Sequence, residues 1–243
     1  LGFWYGANIA VRNVLSGSLQ IASSQIVSAS AGSNNAKDFG IYLENSHVVV
    51  ADTVFQGNGN NGLDYAFYAT GAHTAITLTN NIFDRNAGWP VRVEPPHLHM
   101  QWLSDSIFTE NGNQEDGNQN RVLIKGGDIE EDVALAYQDG LAGYEVTGSI
   151  SVPVGIRVTM MPGVTVLGRR YVELQVAGHL DAVGTASEPI TFTSAMDDGP
   201  HQWRGLVFEG GTGNLEYATV RYGGDGGTNS NIAVRNVQSG RVR

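Results

Sequence analysis

The chain has 243 residues, with 32 Gly, hydrophobic residues at 41%, charged residues at 16% and no Cys. This composition excludes disorder and coiled coil, suits one folded body of short strands and tight turns, and leaves no thiolate metal site or redox chemistry. A net charge of −10 argues against nucleic acid or an anionic membrane as partner, since either demands a basic face. It also disfavours anionic polysaccharide unless calcium bridges it.

In chain order, the first signal is the heptapeptide Asn-Ile-Ala-Val-Arg-Asn-Val at Asn8 to Val14, which returns at Asn231 to Val237. Ser-Gly follows two residues further on in both copies, at Ser16-Gly17 and Ser239-Gly240. Subtraction gives a period of 223 residues (231 minus 8), so the chain reads as one turn of a large tandem repeat, opened and closed in mid-unit. A chain read in that way carries no weight on whether a signal peptide exists. No apolar stretch of spanning length occurs, and no membrane insertion is expected.

A shorter period lies inside the long one. Ile or Val at positions 26, 54, 82 and 107 is spaced 28, 28 and 25 residues apart. Each follows a short alternating run such as His47 to Val50 or Ala75 to Thr79, and period 2 marks a strand with one buried face. Several short strands and polar turns within about 25 residues, with no helical periodicity, are what one coil of a parallel β-helix requires. Phe55 with Asn58, Phe83 with Asn86 and Phe108 with Asn111 keep one offset. Stacked coils should therefore give an internal Phe stack and an Asn ladder at a turn, where Asn tolerates the left-handed backbone.

Several residues in these coils are candidates for chemistry. By position in their runs, His73 and His97 should stack on the outer face of adjacent coils, where two imidazoles can bind a transition metal. Trp89, in a turn between Gly88 and Pro90, and Tyr65 or Tyr68 are the candidate sugar-stacking platforms, whereas Trp102 and Trp203 fall in strand phrases and read as core. Acidic, Asn-rich turns at Gly57 to Asp64, Glu110 to Asn120 and Gly223 to Thr228 are compatible with calcium, but none is a complete calcium loop. No cofactor is expected. The stretch Glu130 to Leu141 contains helix formers and is expected to hold a short helix.

From Tyr144 to Gly223 the phrases run Tyr144-Glu-Val-Thr-Gly-Ser-Ile-Ser-Val152, Gly155-Ile-Arg-Val-Thr-Met-Met-Pro-Gly163-Val-Thr-Val166, Leu174-Gln-Val-Ala-Gly-His-Leu-Asp-Ala-Val-Gly184, Pro189-Ile-Thr-Phe-Thr-Ser194, Trp203-Arg-Gly-Leu-Val-Phe208 and Leu215-Glu-Tyr-Ala-Thr-Val-Arg-Tyr-Gly223. This stretch resembles the right-handed parallel β-helix proteins of the pectate-lyase-like group, especially their large secreted bacterial and archaeal surface proteins. The resemblance implies an all-β, right-handed parallel β-helix of about nine coils with three short strands per coil, in an extracellular or cell-surface setting. It also orders the chain as a single domain over 1–243, with later coils of one repeat at 1–120, a junction at 121–143 and the opening coils of the next repeat at 144–243. The fold carries lyases, hydrolases, phage spikes and non-catalytic adhesins alike.

Polysaccharide-cleaving members need paired carboxylates, or carboxylate-bound calcium with a nearby Arg or Lys. The best local match is Asp197-Asp198 with His201 and Arg204, although the group's hydrolase signature is absent and Met196 to Pro200 is also an ordinary turn. The leading expectation is therefore a non-catalytic structural or adhesive module of a tandem-repeat surface protein that associates end to end. The alternative is a carbohydrate-active enzyme or polysaccharide-binding module.

Overall fold

The computed structural model describes residues 6–29, 37–112, 120–226, 230–237 and 242. The chain divides into two compact units, each described by itself. The first comprises Leu1–His97, Trp102–Leu123 and Gln138–Ala142, and the second comprises Leu98–Gln101, Ile124–Tyr137 and Gly143–Arg243. Residues 121–143 are thus divided between the two.

In the first unit the chain winds through four coils of three strands. These are β1 (Gly6–Arg12), β2 (Leu19–Ala22) and β3 (Gln25–Val27); β4 (Asp38–Glu44), β5 (His47–Ala51) and β6 (Val54–Gln56); β7 (Tyr65–Thr70), β8 (Ala75–Thr79) and β9 (Ile82–Asp84); and β10 (Trp89–Val93), β11 (Leu103–Ser104) and β12 (Ile107–Thr109). Every strand pairs in parallel with its counterpart one coil on, giving the ladders β1-β4-β7-β10, β2-β5-β8-β11 and β3-β6-β9-β12. The alternation is visible in burial: Val48 and Val50, Ile76 and Leu78 are buried, while the residues between them face outward.

The Phe stack forms as expected. Phe55 and Phe83 lie 4.7 Å apart at 11°, and Phe83 and Phe108 lie 5.0 Å apart at 10°, all three buried. In the first coil the register differs from the 28-residue spacing: Ile26 pairs with Phe55 and Gln25 with Val54. Ile26 thus occupies the aromatic slot because it is the apolar member of its pair, and it is buried.

The Asn ladder is present, with a different backbone role. Asn58, Asn86 and Asn111 are buried, and the left-handed conformation belongs to the residue before each, Gly57 (φ 63°), Arg85 (φ 48°) and Glu110 (φ 50°). The Asn side chains instead carry hydrogen bonds from coil to coil. Asn86 Oδ1 accepts from Asn58 N (3.0 Å) and Asn58 Nδ2 (2.9 Å), while Asn86 Nδ2 donates to Phe55 O (3.0 Å) and Asn111 Oδ1 (2.7 Å). Ala29 N donates to Asn58 Oδ1 at one end, and Asn111 donates to Asn120 Oδ1 at the other.

A second ladder, not foreseen, runs along the β5–β6 corner and its counterparts. Ser23, Asp52, Asn80 and Asp105 take φ near 50°, which swings the following residue inward. Thr53 N then donates to Asn81 Oδ1 (3.0 Å), Asn81 N to Ser106 Oγ (3.3 Å) and Ser106 N to Gln138 Oε1 (2.8 Å). Buried backbone donors that the strands leave over at each corner are satisfied in this way.

After β13 (Arg121–Ile124), the second unit contains β14 (Gly127–Asp128), β15 (Val133–Leu135) and β16 (Gly143–Val146); β17 (Ile150–Val152), β18 (Arg157–Met160) and β19 (Thr165–Gly168); β20 (Glu173–Val176), β21 (His179–Val183) and β22 (Ile190–Ser194); β23 (Gly205–Glu209), β24 (Thr212–Glu216) and β25 (Ala218–Val220); and finally β26 (Ile232–Arg235). Its ladders are β14-β17-β20-β23-β26, β15-β18-β21-β24 and β16-β19-β22-β25, all parallel. Val152, Val176 and Phe208 fill one interior row, Val158 with Leu180 a second and Met160 with Ala182 a third. The helix expected over Glu130 to Leu141 does not form. Val133 and Leu135 alternate into the core against Val158 and Met160, and a two-residue period with apolar partners overrides helix propensity. Among the described residues four complete coils in each unit make eight, close to the nine expected.

Candidate functional site

A concave feature of the second unit opens at the corner that follows β16, β19 and β22. It is a cleft of about 570 Å³ lined by Thr147, Gly168, Arg169, Arg170, Ser194, Ala195, Met196, His201 and Gln202. Its size falls in the range of small-ligand sites. Trp203 builds it from behind: the indole is buried and donates Nε1–H to Arg221 O (2.8 Å). A Cβ on Gly168 would lie 2.6 Å from that ring, so Gly168 makes room for Trp203.

The charged groups here are engaged within the protein. Arg169 Nε donates to Oε1 of the buried Glu145 (2.5 Å), and Arg170 Nε donates to Asp225 Oδ2 (3.3 Å) while lying 4.8 Å over the Tyr171 ring. Of the four catalytic candidates, Asp197 is clamped by Arg221 through Nε (2.9 Å) and Nη2 (2.5 Å) and also accepts from the Thr193 hydroxyl. This contact keeps the Arg221 guanidinium firmly protonated. Asp198 accepts from the Gln202 amide, His201 Nδ1 lies 3.1 Å from Gly224 O, and Arg204 N donates to Val172 O (2.8 Å). The loop gathers Asp197, Asp198 and His201 within a few residues, but its two carboxylates serve different partners. Neither is among the residues lining the cleft, nor is any Trp or Tyr. Acid–base or nucleophilic hydrolysis needs two carboxyls facing one bond, and this loop instead ties itself down.

The aromatic candidates are brought together in the first unit, though not as open platforms. Trp89 is the first residue of β10 rather than part of a turn, and it pairs in register with Tyr65. Both are buried in a cluster with Phe39 and Tyr42, against which Tyr68 packs. Tyr65 stacks on Phe39 (5.9 Å, 8°) and on Tyr68 (5.3 Å, 24°). The Arg92 guanidinium lies 5.3 Å over Tyr65 and 4.7 Å over Tyr68, and also donates to Tyr65 Oη (3.0 Å). Ring faces a sugar would use are occupied by neighbouring rings and a cation. The row arises because Gly40 turns inward toward Asn58 and Ile26, which leaves Phe39 on the outer face.

The histidine pair does not form on the outer face. His97 is buried at the end of the short 3-10 helix Pro95–His97, where its Nδ1 accepts from Glu94 N (3.1 Å) and Nε2 donates to Gly71 O (2.9 Å). That hydrogen bonding sets one neutral tautomer and engages both ring nitrogens. His73 is exposed in a turn. Among the described residues no group of three or more His, Asp or Glu is placed to hold a metal ion. Of the acidic turns, Asp64 binds its own loop, accepting at Oδ2 from Asn60 N (2.7 Å) and Asn61 N (3.0 Å) and at Oδ1 from Asp38 N (3.0 Å). Glu115-Asp116 and residues 227 and 228 lie outside the described residues.

Sequence reasoning missed the Arg169-Arg170 cleft and the Arg92 stack. The available signal was an arginine placed at or just after a strand of one ladder, which a one-dimensional reading treats as solvated charge.

Parallel ladders closed by polar corner stacks define the class: a parallel β-helix. Residues 127–237 match the family model described as pectate-lyase like beta helix domain. No curated protein and no solved structure matches the chain. No helix among the described residues is long and apolar enough to cross a membrane.

Proposed function

We propose that the chain is a non-catalytic structural or adhesive module of an extracellular, cell-surface tandem-repeat protein, and that such modules associate end to end. The observation that carries this reading is the behaviour of the repeated heptapeptide. Both copies fold as strands that open a coil, β1 and β26, and both end on Asn in the left-handed conformation, Asn13 at φ 56° and Asn236 at φ 55°. Identical sequence in identical local structure is what a repeating architecture needs at its joints. Incubation with pectate, alginate and neutral glucans, with and without calcium, is expected to yield neither unsaturated products nor reducing ends. Turnover abolished in an Asp197→Ala, Asp198→Ala double variant would overturn the reading in favour of an enzyme.

The cleft favours one second reading, a polysaccharide-binding module. The guanidinium groups of Arg169 and Arg170 with His201 offer donors suited to an acidic sugar, in a molecule whose overall charge would otherwise repel one. Calorimetric titration with oligogalacturonate tests it: heat lost in an Arg169→Ala, Arg170→Ala variant supports binding there, and no heat with the unaltered protein rejects it.

A further inference from the structure

We infer that β26 and β1 are two halves of one seam, and that the open edge of β26 takes the β4 strand of a second copy of this chain, with that copy's own β1 giving way. The inference rests on the proposed end-to-end association and specifies its register.

The two copies of the heptapeptide use opposite edges. β1 pairs with β4, matching Ile9 with Ile41, Ala10 with Tyr42, Val11 with Leu43 and Arg12 with Glu44. β26 pairs with β23, matching Leu206 with Ile232, Val207 with Ala233, Phe208 with Val234 and Glu209 with Arg235. Each is the terminal strand of its ladder within its unit. Superposing the copies merges the two pairings into a single strand with β23 on one side and β4 on the other.

The merged strand is consistent at the four positions that both pairings share. Its Ile and Val face the interior in both copies, since Leu206, Phe208, Ile41 and Leu43 are all fully buried. Its Arg meets a Glu on each side: Arg12 lies 3.6 Å from Glu44, and Arg235 is in register with Glu209. Backbone bonds dovetail as well, because Gly210 N donates to Arg235 O (2.8 Å) and Asn13 N donates to Glu44 O (2.9 Å). In the single chain Ile232 and Val234 remain 38% and 53% exposed. Among the described residues β26 pairs with β23 alone, and a strand edge of this kind is a template for another strand. Over Ile9–Arg12 replacing β1 by β26 keeps each pairing with β4, because the sequences are identical there, whereas the pairings of Gly6 with Asp38 and Ala7 with Phe39 are given up; in exchange the shared strand has two neighbours instead of one. That is the logic of domain swapping, and because the contact is heterologous it propagates rather than closes.

The chain has no Cys, so introduced thiols report alone. Adjacent strands lie about 4.8 Å apart and strands two places apart roughly 9.6 Å, while a disulfide needs Cα atoms within about 7 Å. Arg235→Cys protein is mixed in equal amounts with Glu44→Cys protein, and separately with Arg12→Cys protein, then oxidised and sized. Arg12 and Arg235 are exposed and Glu44 is half-buried, and an unchanged far-ultraviolet spectrum confirms folding. The inference requires the 235–44 disulfide to exceed the 235–12 disulfide at least roughly tenfold. Dominance of 235–12 would mean that β26 adds outside an intact β1, and would overturn the exchange. Oligomers lacking both disulfides would overturn this register while leaving end-to-end association standing. Monomers with neither disulfide would overturn both.

Discussion

Asn86 is the position where one substitution reports on the whole ladder. Its side chain is buried and makes four hydrogen bonds, accepting twice from Asn58 and donating to Phe55 O and Asn111 Oδ1. Asn86→Ala leaves the Asn58 N–H without its partner in a site closed to water, at about 1–3 kcal/mol. The Phe55 carbonyl keeps its place in the β6–β9 ladder, Asn58 Nδ2 keeps Ile26 O, and Asn111 Oδ1 keeps the Asn86 N–H (3.2 Å), so none of those groups is orphaned. The expected loss is about 1–3 kcal/mol, read from denaturant unfolding followed by tryptophan fluorescence. Asn86→Asp sharpens the test. A carboxylate there would face Phe55 O and Asn111 Oδ1, both acceptors, so its folded pKa must rise above the unfolded value. A raised carboxyl pKa gives a variant whose stability is greatest below the unfolded pKa and falls as pH rises through the folded pKa. A loss under about 1 kcal/mol for Asn86→Ala, or an Asn86→Asp variant with the parent's pH profile, would refute the ladder as a source of stability.

Phe83→Ala, which removes the middle ring of the stack, is expected to cost about 3–5 kcal/mol in the same assay. Gly40→Ala should cost about 1–3 kcal/mol by overpacking, because its Cβ would meet Ala66 O at 2.5 Å with Asn58 and Ile26 beside it; an unchanged midpoint would contradict the inward turn of that strand. Hydrogen bonds from Arg85 and then Gln56 hold the Asp84 carboxyl below the usual carboxylate range. This depressed pKa favours the fold above the unfolded value, and the contribution is lost as pH falls. Arg85→Ala should therefore move the Asp84 titration, followed by carbon-13 NMR, upward.

The fold was legible because coil stacking converts sequence spacing directly into contact. Phe83 meets Phe55 and Phe108 for the same reason that the three share an offset from Asn. Legibility ended where contact depends on which residue bends. Spacing alone placed Val54 opposite Ile26, whereas burial put Phe55 there, and the left-handed φ fell on Arg85 and Glu110 instead of on the Asn after each. The site was harder to read because loop length does not reveal where a side chain turns. His97 reached back to Gly71, and Asp197 turned to Arg221 from the next coil. Trp89, set between Gly and Pro, begins a strand, since Asp64 O accepts its N–H at 2.9 Å.

The central claim is that this module repeats along an axis, and sedimentation velocity over a wide range of protein concentration tests it most directly. Association is expected to give species in successive whole multiples of the 243-residue chain, with frictional ratios that climb as particles lengthen in one dimension. A single species of constant sedimentation coefficient at every concentration, up to the highest reached, would contradict it.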